Sequence, residues 1–261
     1  MSLSEYIQSL KAYKGLASDI VCHKTLPGAE PKPASTLPKF RHDLSPILTS
    51  LGIDRLYRHQ KQAIDLVLEG LHTVIATPTA SGKSLIYNLP VIDELIETGE
   101  SHALYLFPLK ALARDQMDSV RTLLRVADEQ TQRDAQMTAA VYDGDITSYQ
   151  KSKIRKAPPN ILLSNPEMLH LAMLAHHHLW ESFFGNLKDV VVDEVHTYRG
   201  VMGSNMAWVF RRLKRICALY GSDPVFVFCS ATIANPADLA GRLTGFDVRV
   251  VDKTGSPTGT K

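Results

Sequence analysis

The chain has 261 residues, 44% of them hydrophobic, enough to bury one large core or two small ones. Its 29 Lys and Arg stand against 27 Asp and Glu, so net charge neither demands nor excludes a polyanionic partner; a local basic surface would have to do that work. Cys22, Cys217 and Cys229 form no C-x-x-C pair, residues 1–10 lack a long apolar run, and nothing approaches membrane-spanning length, so the expectation is a soluble, non-secreted protein (cytoplasmic, nuclear or nucleoid-associated) with reduced, buried thiols.

Ser2-Leu3-Ser4-Glu5 fits a capping box for a first helix carrying Tyr6, Ile7 and Leu10. Pro27, Pro31, Pro33 and Pro38 break regular structure between Leu26 and Phe40, which predicts an irregular arm. Ser45-Pro46 reads as the N-cap and first residue of a short helix with Ile47, Leu48 and Leu51, stopping at Gly52. A second amphipathic helix runs from Leu56 to Glu69 and ends at Gly70.

Val74-Ile75-Ala76 is a short apolar strand before a Pro/Ser/Gly turn, and Leu85, Leu89, Ile92 and Ile96 recur at helical spacing after it. The alternation then repeats. Strands are predicted at 103–107, 137–142, 160–164, 190–192, 225–229 and 247–251, with helices at 110–126, from near Pro166, over the stripe Met206, Val209, Phe210, Leu213, Ile216, Cys217 and Tyr220, and from Asn235. Strands that are apolar throughout and alternate with helices predict an α/β fold with a mainly parallel sheet covered on both faces. The polar motifs fall at the carboxyl ends of strands, where open α/β sheets bind ligands.

Strand, tight loop, Gly82-Lys83-Ser84 and helix give the context in which a phosphate-binding loop is credible. Backbone N–H groups of the loop and the helix N-terminus would cradle phosphates, Lys83 would neutralise the terminal phosphates, and the Ser84 hydroxyl would ligate Mg²⁺. The strict pattern wants Gly where this chain has Thr77. Asp193-Glu194-Val195-His196 follows the strand at 190–192, where a second acidic motif belongs: Asp193 would hold Mg²⁺ and Glu194 would orient and polarise a water. Ser230-Ala231-Thr232 ends the next apolar strand. Elsewhere the plainer reading is preferred. Arg211, Arg212, Lys214 and Arg215 read as a solvated helix face, His176-His177-His178 as a surface loop rather than a metal tract, and Trp180 and Trp208 as packing residues.

Taken together, LYRHQ (56–60), ATPTASGKS (76–84), FPLKALARDQ (107–116), SNPEMLH (164–170), DEVH (193–196) and SATI (230–233) resemble the first motor domain of a superfamily 2 helicase, a RecA-like P-loop fold. DEVHTYRGVMGSNMAWVFRRLKR and the arm HKTLPGAEPKPA are similar to the DEVH-type DNA helicases of the Hrq / mitomycin-repair-factor group. The resemblance implies ATP and Mg²⁺ as cofactors and a loop of Thr77, Pro78, Thr79, Ala80, Ser81, Gly82, Lys83 and Ser84 around the nucleotide. It implies that Gln60 reads the adenine edge, as suits an amide that both donates and accepts. It gives Lys83, Asp193 and Glu194 the catalytic roles, and makes His196, Ser230 and Thr232 the coupling between nucleotide and nucleic acid. Pro108, Lys110, Arg114, Gly144, Ser164, Asn165 and Pro166 would line the path of one strand, through contacts that carry no sequence preference.

The implied organisation is an N-terminal extension of residues 1–54 packed on a motor domain of 55–261, with a second motor domain belonging to a longer enzyme. The implied partners are therefore single-stranded nucleic acid, DNA ahead of RNA, and that second domain. The implied activity is 3′-to-5′ DNA unwinding in repair, with negligible turnover by this domain alone, since an arginine finger contributes on the order of 10³–10⁵ in rate. Three other readings are an RNA helicase motor, a non-catalytic ATP- or nucleic-acid-binding module, and a P-loop kinase; the order of DEVH and SAT argues against the last.

Overall fold

The computed structural model describes residues 3–17, 19–22, 24, 27–131 and 136–259. They divide into two compact units, Met1–Pro31 with Ser256–Lys261, and Lys32–Gly255. The first unit holds helix α1 (Leu3–Ala12), with Glu5 in its first turn and Lys11 in its last, each complementing the helix dipole. Ala29 and Thr258 form an antiparallel bridge, exchanging backbone bonds of 2.9 and 3.0 Å. Of the predicted capping box, Ser2 lies outside the described residues, as does Leu26 of the arm. Cys22 is exposed, so only Cys217 and Cys229 fit the expectation of buried thiols.

The second unit is built on seven strands: β1 (Thr73–Ala76), β2 (His102–Leu106), β3 (Ala139–Tyr142), β4 (Ile161–Ser164), β5 (Leu187–Val192), β6 (Val225–Ser230) and β7 (Arg249–Val251). They pair in the order β3-β4-β2-β5-β6-β1-β7, every pair parallel. Side chains alternate between two apolar layers. Ile75, Tyr105, Leu163, Val191, Val227 and Cys229 enter one core with helices α2 (Ser45–Ser50), α3 (Arg58–Leu68), α4 (Lys83–Thr98) and α5 (Lys110–Thr131). Val74, Leu104, Leu162, Val190, Phe226 and Phe228 enter the other, with α8 (Glu181–Gly185), α9 (Gly200–Leu219) and α10 (Pro236–Thr244). Because both faces are dry, the strands are apolar throughout rather than alternating, the pattern visible in the sequence.

The part of the Pro-rich arm from Lys32 on, which belongs to this unit, is irregular and tied into it. Lys32 and Ala34 N–H donate to Gly255 O and Leu56 O (2.8 Å each), and the buried carboxylate of Asp93 on α4 accepts the N–H groups of Arg41 and His42 at 3.0 and 2.9 Å. A carboxylate that is 1% exposed is tolerable only when bonded this fully. Helix α2 begins at Ser45 itself, not after it: Asp43 Oδ1 accepts the Ser45 N–H at 3.0 Å, an Asx turn that takes over the capping task expected of Ser45. Helix α3 begins at Arg58 because Tyr57 is extended and its N–H is held by Gln60 Oε1 at 2.8 Å.

Between β3 and β5 the chain is more helical than the sequence suggested. Helix α6 (Ser148–Lys156) is capped by Thr147, whose hydroxyl accepts from Gln150 N–H. The helix expected from Pro166 is a single turn, α7 (Pro166–Met168), that widens to a π-turn over Leu169–Leu174. His177–Trp180 is a 3₁₀ turn in which His177 Nδ1 meets Tyr220 Oη at 2.8 Å while His176 and His178 are exposed. Among the described residues no cluster of three or more His, Cys, Asp or Glu side chains could hold a metal ion, and no helix is long and apolar enough to cross a membrane.

Asp189, in the first half of β5, is 8% exposed; burial first and the nearby Glu94 charge second push its carboxyl up to about 7, with Lys188 pulling back. The folded chain therefore favours the protonated form. The stability this group contributes is complete below the ordinary carboxylate value, near ~4, and is lost as pH rises through about 7. Asp189→Asn, uncharged at every pH, is expected to raise the melting temperature above that point, by ~2–4 °C per kcal/mol recovered, and the gain should shrink to nothing on acidification. A gain that does not change with pH would show that the charge is not its cause.

Candidate nucleotide and nucleic-acid site

The loop between β1 and α4 is curled by two left-handed residues, Ala80 (φ 60°) and Gly82 (φ 76°). Such turns set successive N–H groups around an anion-sized concavity. A Cβ at Gly82 would stand 2.4 Å from Gln60 Nε2, which could swing aside, so it is the left-handed backbone that calls for glycine here. Thr77, the departure from the strict pattern, is buried and shares a hydrogen bond with the Ser81 hydroxyl at 2.7 Å, which closes the loop from inside. Pro78, Thr79 and Ala80 are exposed at its tip, and Ser84 is half-buried in the first turn of α4. Lys83 Nζ lies across the loop and donates to the carbonyls of Thr77 (3.0 Å) and Pro78 (2.9 Å).

Two residues of α3 brace this loop. Gln60 Nε2 donates to Gly82 O at 3.0 Å while its Oε1 serves Tyr57, so both ends of the amide are engaged with the chain. His59, not singled out in the sequence, is 1% exposed. Its Nδ1 accepts the Gly255 N–H at 3.0 Å, which puts the ring proton on Nε2, where it donates to Ser81 O at 3.0 Å. Burial, with the Lys83 charge adding to it, lowers the His59 pKa and keeps that tautomer neutral; the Ser81 bond opposes this.

The acidic motif leaves β5, which is separated from β1 by β6. Asp193 N–H donates to Leu106 O at 2.9 Å and Asp193 Oδ1 accepts from Glu194 N–H at 2.9 Å. Burial pushes the Asp193 carboxyl up to about 6; the Glu194 N–H bond and the Lys83 and His196 charges resist, and the Glu194 charge adds to the rise. Glu194 adopts φ 49° without being glycine. With Ala80 it completes the left-handed non-glycine residues among those described, and both lie in nucleotide motifs. Strain of this kind collects where geometry matters more than stability.

Glu194 Oε2 is buried and has no hydrogen bond among the described residues, and His196 Nδ1 lies within ion-pair distance of it at 3.1 Å. That nitrogen also sits 3.3 Å from Ser230 Oγ at the end of β6. His196 and Ser230 are thus brought together, while Thr232 is exposed two residues on. Tyr198 is a second residue the sequence did not flag. Its ring is fully buried, its hydroxyl has no partner, and burial first and the Asp193 charge second raise its pKa.

The remaining residues occupy the carboxyl ends of β2, β4 and β3, the other half of the same sheet edge. Pro108 is half-buried. Lys110 and Arg114, at the start of α5, are ion-paired with Asp145 at 2.6 and 2.7 Å, and Arg114 also reaches the buried Asp143 at 3.4 Å. The Lys110 bond is the main reason the Asp145 carboxyl lies below its usual range. Gly144 passes close enough that a Cβ would stand 3.3 Å from Lys110 Nζ. Ser164 is buried and donates to Tyr142 O at 2.7 Å; Asn165 caps α7 by accepting the Met168 N–H at 2.9 Å, with Pro166 next. Their side chains are thus committed locally, leaving backbone groups for a strand.

A parallel sheet with a phosphate-binding loop after β1, an acidic pair after β5 and a hydroxyl at the end of β6 defines a RecA-like P-loop motor domain. The family model for DEAD/DEAH box helicases matches residues 57–239, and the chain belongs to that family. It is 46% identical to the uncharacterized ATP-dependent helicase YprA of Bacillus subtilis, over 100% of this chain and 33% of that protein. It is 35% identical to the ATP-dependent helicase hrq1 of Schizosaccharomyces pombe, over 98% of this chain and 24% of that one. The crystal structure of the DUF1998 helicase MrfA bound to DNA superposes with a TM-score of 0.90 at 44% identity, covering 100% of this chain and 36% of that one. The chain therefore spans about a quarter to a third of the length of these relatives.

His59→Ala removes the bond to Ser81 O and the bond that ties His59 to Gly255 N–H, roughly 1 kcal/mol each. Titration with a fluorescent ATP analogue is expected to show about tenfold weaker binding. Unchanged affinity would mean that the Ser81 carbonyl does not set the shape of the loop.

Proposed function

We propose that this domain is the N-terminal ATP-binding motor of an ATP-dependent helicase that moves 3′-to-5′ on DNA and serves in DNA repair. The observation that carries the reading is the convergence of Lys83, Asp193, Glu194, His196 and Ser230 at the ends of three adjacent strands, β1, β6 and β5. DNA is favoured over RNA by the similarity to a helicase whose structure holds DNA.

The residues present fit ATP and Mg²⁺. The left-handed turns at Ala80 and Gly82 make the cradle, and Glu194 presents a buried oxygen with no hydrogen bond among the described residues. Residues 77–84 would hold the phosphates, with Lys83 exchanging the carbonyls of Thr77 and Pro78 for phosphate oxygens. Ser84 and Asp193 would hold Mg²⁺, which when bound neutralises phosphate charge. Glu194 would then orient the attacking water and accept its proton on its carboxylate, whose Oε2 lies beside His196. Gln60 would read the adenine edge, and since its amide also holds Gly82, base recognition and loop shape share one side chain. His196, placed between Glu194 and Ser230, passes the state of the acidic motif to the end of β6, and Thr232 continues that route.

Lys110, Arg114, Gly144 and the turn from Ser164 to Pro166 would track the backbone of one strand along the neighbouring half of the edge. A second motor domain in the same polypeptide would close over the nucleotide and supply arginine, a contribution on the order of 10³–10⁵ in rate. The domain by itself is therefore expected to turn ATP over negligibly.

The test is ATP hydrolysis by the full-length protein with and without single-stranded DNA or RNA, beside Glu194→Gln. The expected result is stimulation by DNA, with kcat lowered about 10²–10⁴-fold by the substitution and nucleotide affinity kept. Stimulation by RNA alone would overturn the choice of DNA, and turnover indifferent to both would overturn the motor reading itself.

A further inference from the structure

Helix α9 has one buried face and one that nothing among the described residues covers. Met206, Val209, Phe210, Leu213 and Cys217 point into the core. The opposite face presents Val201 (80% exposed), Trp208 (67%) and Leu219 (64%), with Arg211 and Arg215 exposed beside them. Trp208 therefore does not pack as the sequence reading supposed. A large aromatic ring left in water on a helix that offers an ample core face lacks a folding rationale.

The charge on this face is uncompensated. Residues 200–219 contain Arg211, Arg212, Lys214 and Arg215 and no acidic residue. Among the described residues none of the three arginines has a carboxylate partner, whereas Lys110 and Arg114 are both occupied by Asp145. The arginines are instead arranged around flat rings. The Arg211 guanidinium lies over the Trp208 indole, 5.4 Å from its centroid, and is tethered by a 2.9 Å bond to Ala207 O. Arg212 Nη1 donates to His170 Nδ1 at 2.8 Å. His170 belongs to the π-turn that directly follows Asn165–Met168, so the face continues from the edge along which a strand is placed above.

We propose that the outer face of α9 is a second contact for single-stranded nucleic acid, with Trp208 as a stacking platform and Arg211, Arg212 and Arg215 as phosphate contacts. Unpaired guanidinium groups suit a polyanion, and an exposed indole between them suits a base, whichever base it is; together they select a single strand, whose bases are free to stack. An acidic protein helix would match the charge and leave the indole without a flat partner. The inference rests on the nucleic-acid motor reading and adds a surface beyond the motor motifs.

The full-length protein is titrated with a fluorescein-labelled oligonucleotide at several salt concentrations. Trp208→Ala is expected to weaken binding about tenfold and Trp208→Phe to restore most of it. Replacing Arg211, Arg212 and Arg215 together by Ala is expected to flatten the plot of log affinity against log salt by about 2, at ~0.7 per phosphate contact on a single strand. These positions lie on the outer face, and melting temperatures close to that of the parent confirm that the variants fold. A parent that binds while every variant binds as tightly, with the same slope, overturns this proposal alone. A parent that binds no single strand overturns the motor reading and this proposal with it.

Discussion

The structure depends on one constraint: seven parallel strands whose side chains alternate into two dry layers. Ile75 and Val74, Val191 and Val190, Val227 and Phe226 go to opposite cores, so neither face of the sheet can carry polar chemistry. Parallel pairing in turn brings every carboxyl end to one edge, the one place where the chain can display charged and hydroxylic groups. The order β3-β4-β2-β5-β6-β1-β7 then divides that edge. Nucleotide motifs fall to β1, β6 and β5, and the groups suited to a strand fall to β2, β4 and β3. β2 and β5 are direct neighbours, and Asp193 N–H bonds to Leu106 O across that boundary at 2.9 Å, so the two halves are joined through backbone rather than by a flexible loop.

The nucleotide half is built at a cost to stability. Ala80 and Glu194 hold left-handed backbones, Glu194 Oε2 and the Tyr198 hydroxyl are buried without hydrogen bonds among the described residues, and Asp193 is desolvated enough to move its carboxyl up to about 6. Strained backbone of this kind costs on the order of 1–3 kcal/mol per residue and an unmet buried polar atom a similar amount. The two apolar layers can absorb this because they are large and because the site's framework is satisfied elsewhere. Thr77 bonds Ser81, Gln60 bonds Gly82 and Tyr57, and His59 is bonded at both ring nitrogens. What is left unmet among the described residues includes Glu194 Oε2 and the Tyr198 hydroxyl, in and just after the acidic motif, and also Trp180 Nε1 away from it.

Much of this was legible in the sequence, and for physical reasons. Runs such as Val190–Val192 and Val225–Cys229 are apolar throughout because both faces are covered, so the strands and the α/β class could be read directly. The candidate nucleotide residues could be proposed because phosphate and metal chemistry restricts which side chains would serve. Strand order could not: nothing local says that β6 inserts between β1 and β5. His59 was also hidden, since its role depends on Gly255, 196 positions away. Other misses were avoidable. Thr147-x-x-Gln150 is a capping box that announces α6, and the stripe of Met206, Val209, Phe210 and Leu213 already turns Trp208 outward.

The two sets of cations do different work because their starting states differ. Lys110 and Arg114 are neutralised by Asp145 and Asp143, so a phosphate arriving there replaces one anion by another and gains little net attraction. A contact of that kind is poorly suited to affinity and well suited to switching, since a small shift of the Asp143–Asp145 turn decides which anion the cations hold. The arginines of α9 have no carboxylate to give up among the described residues, and a strand meeting them gains attraction without an exchange. A motor must release its track at the moving site while staying on it elsewhere, and on the proposed reading internally paired cations near the nucleotide motifs would serve the first demand and unpaired ones on an outer helix the second.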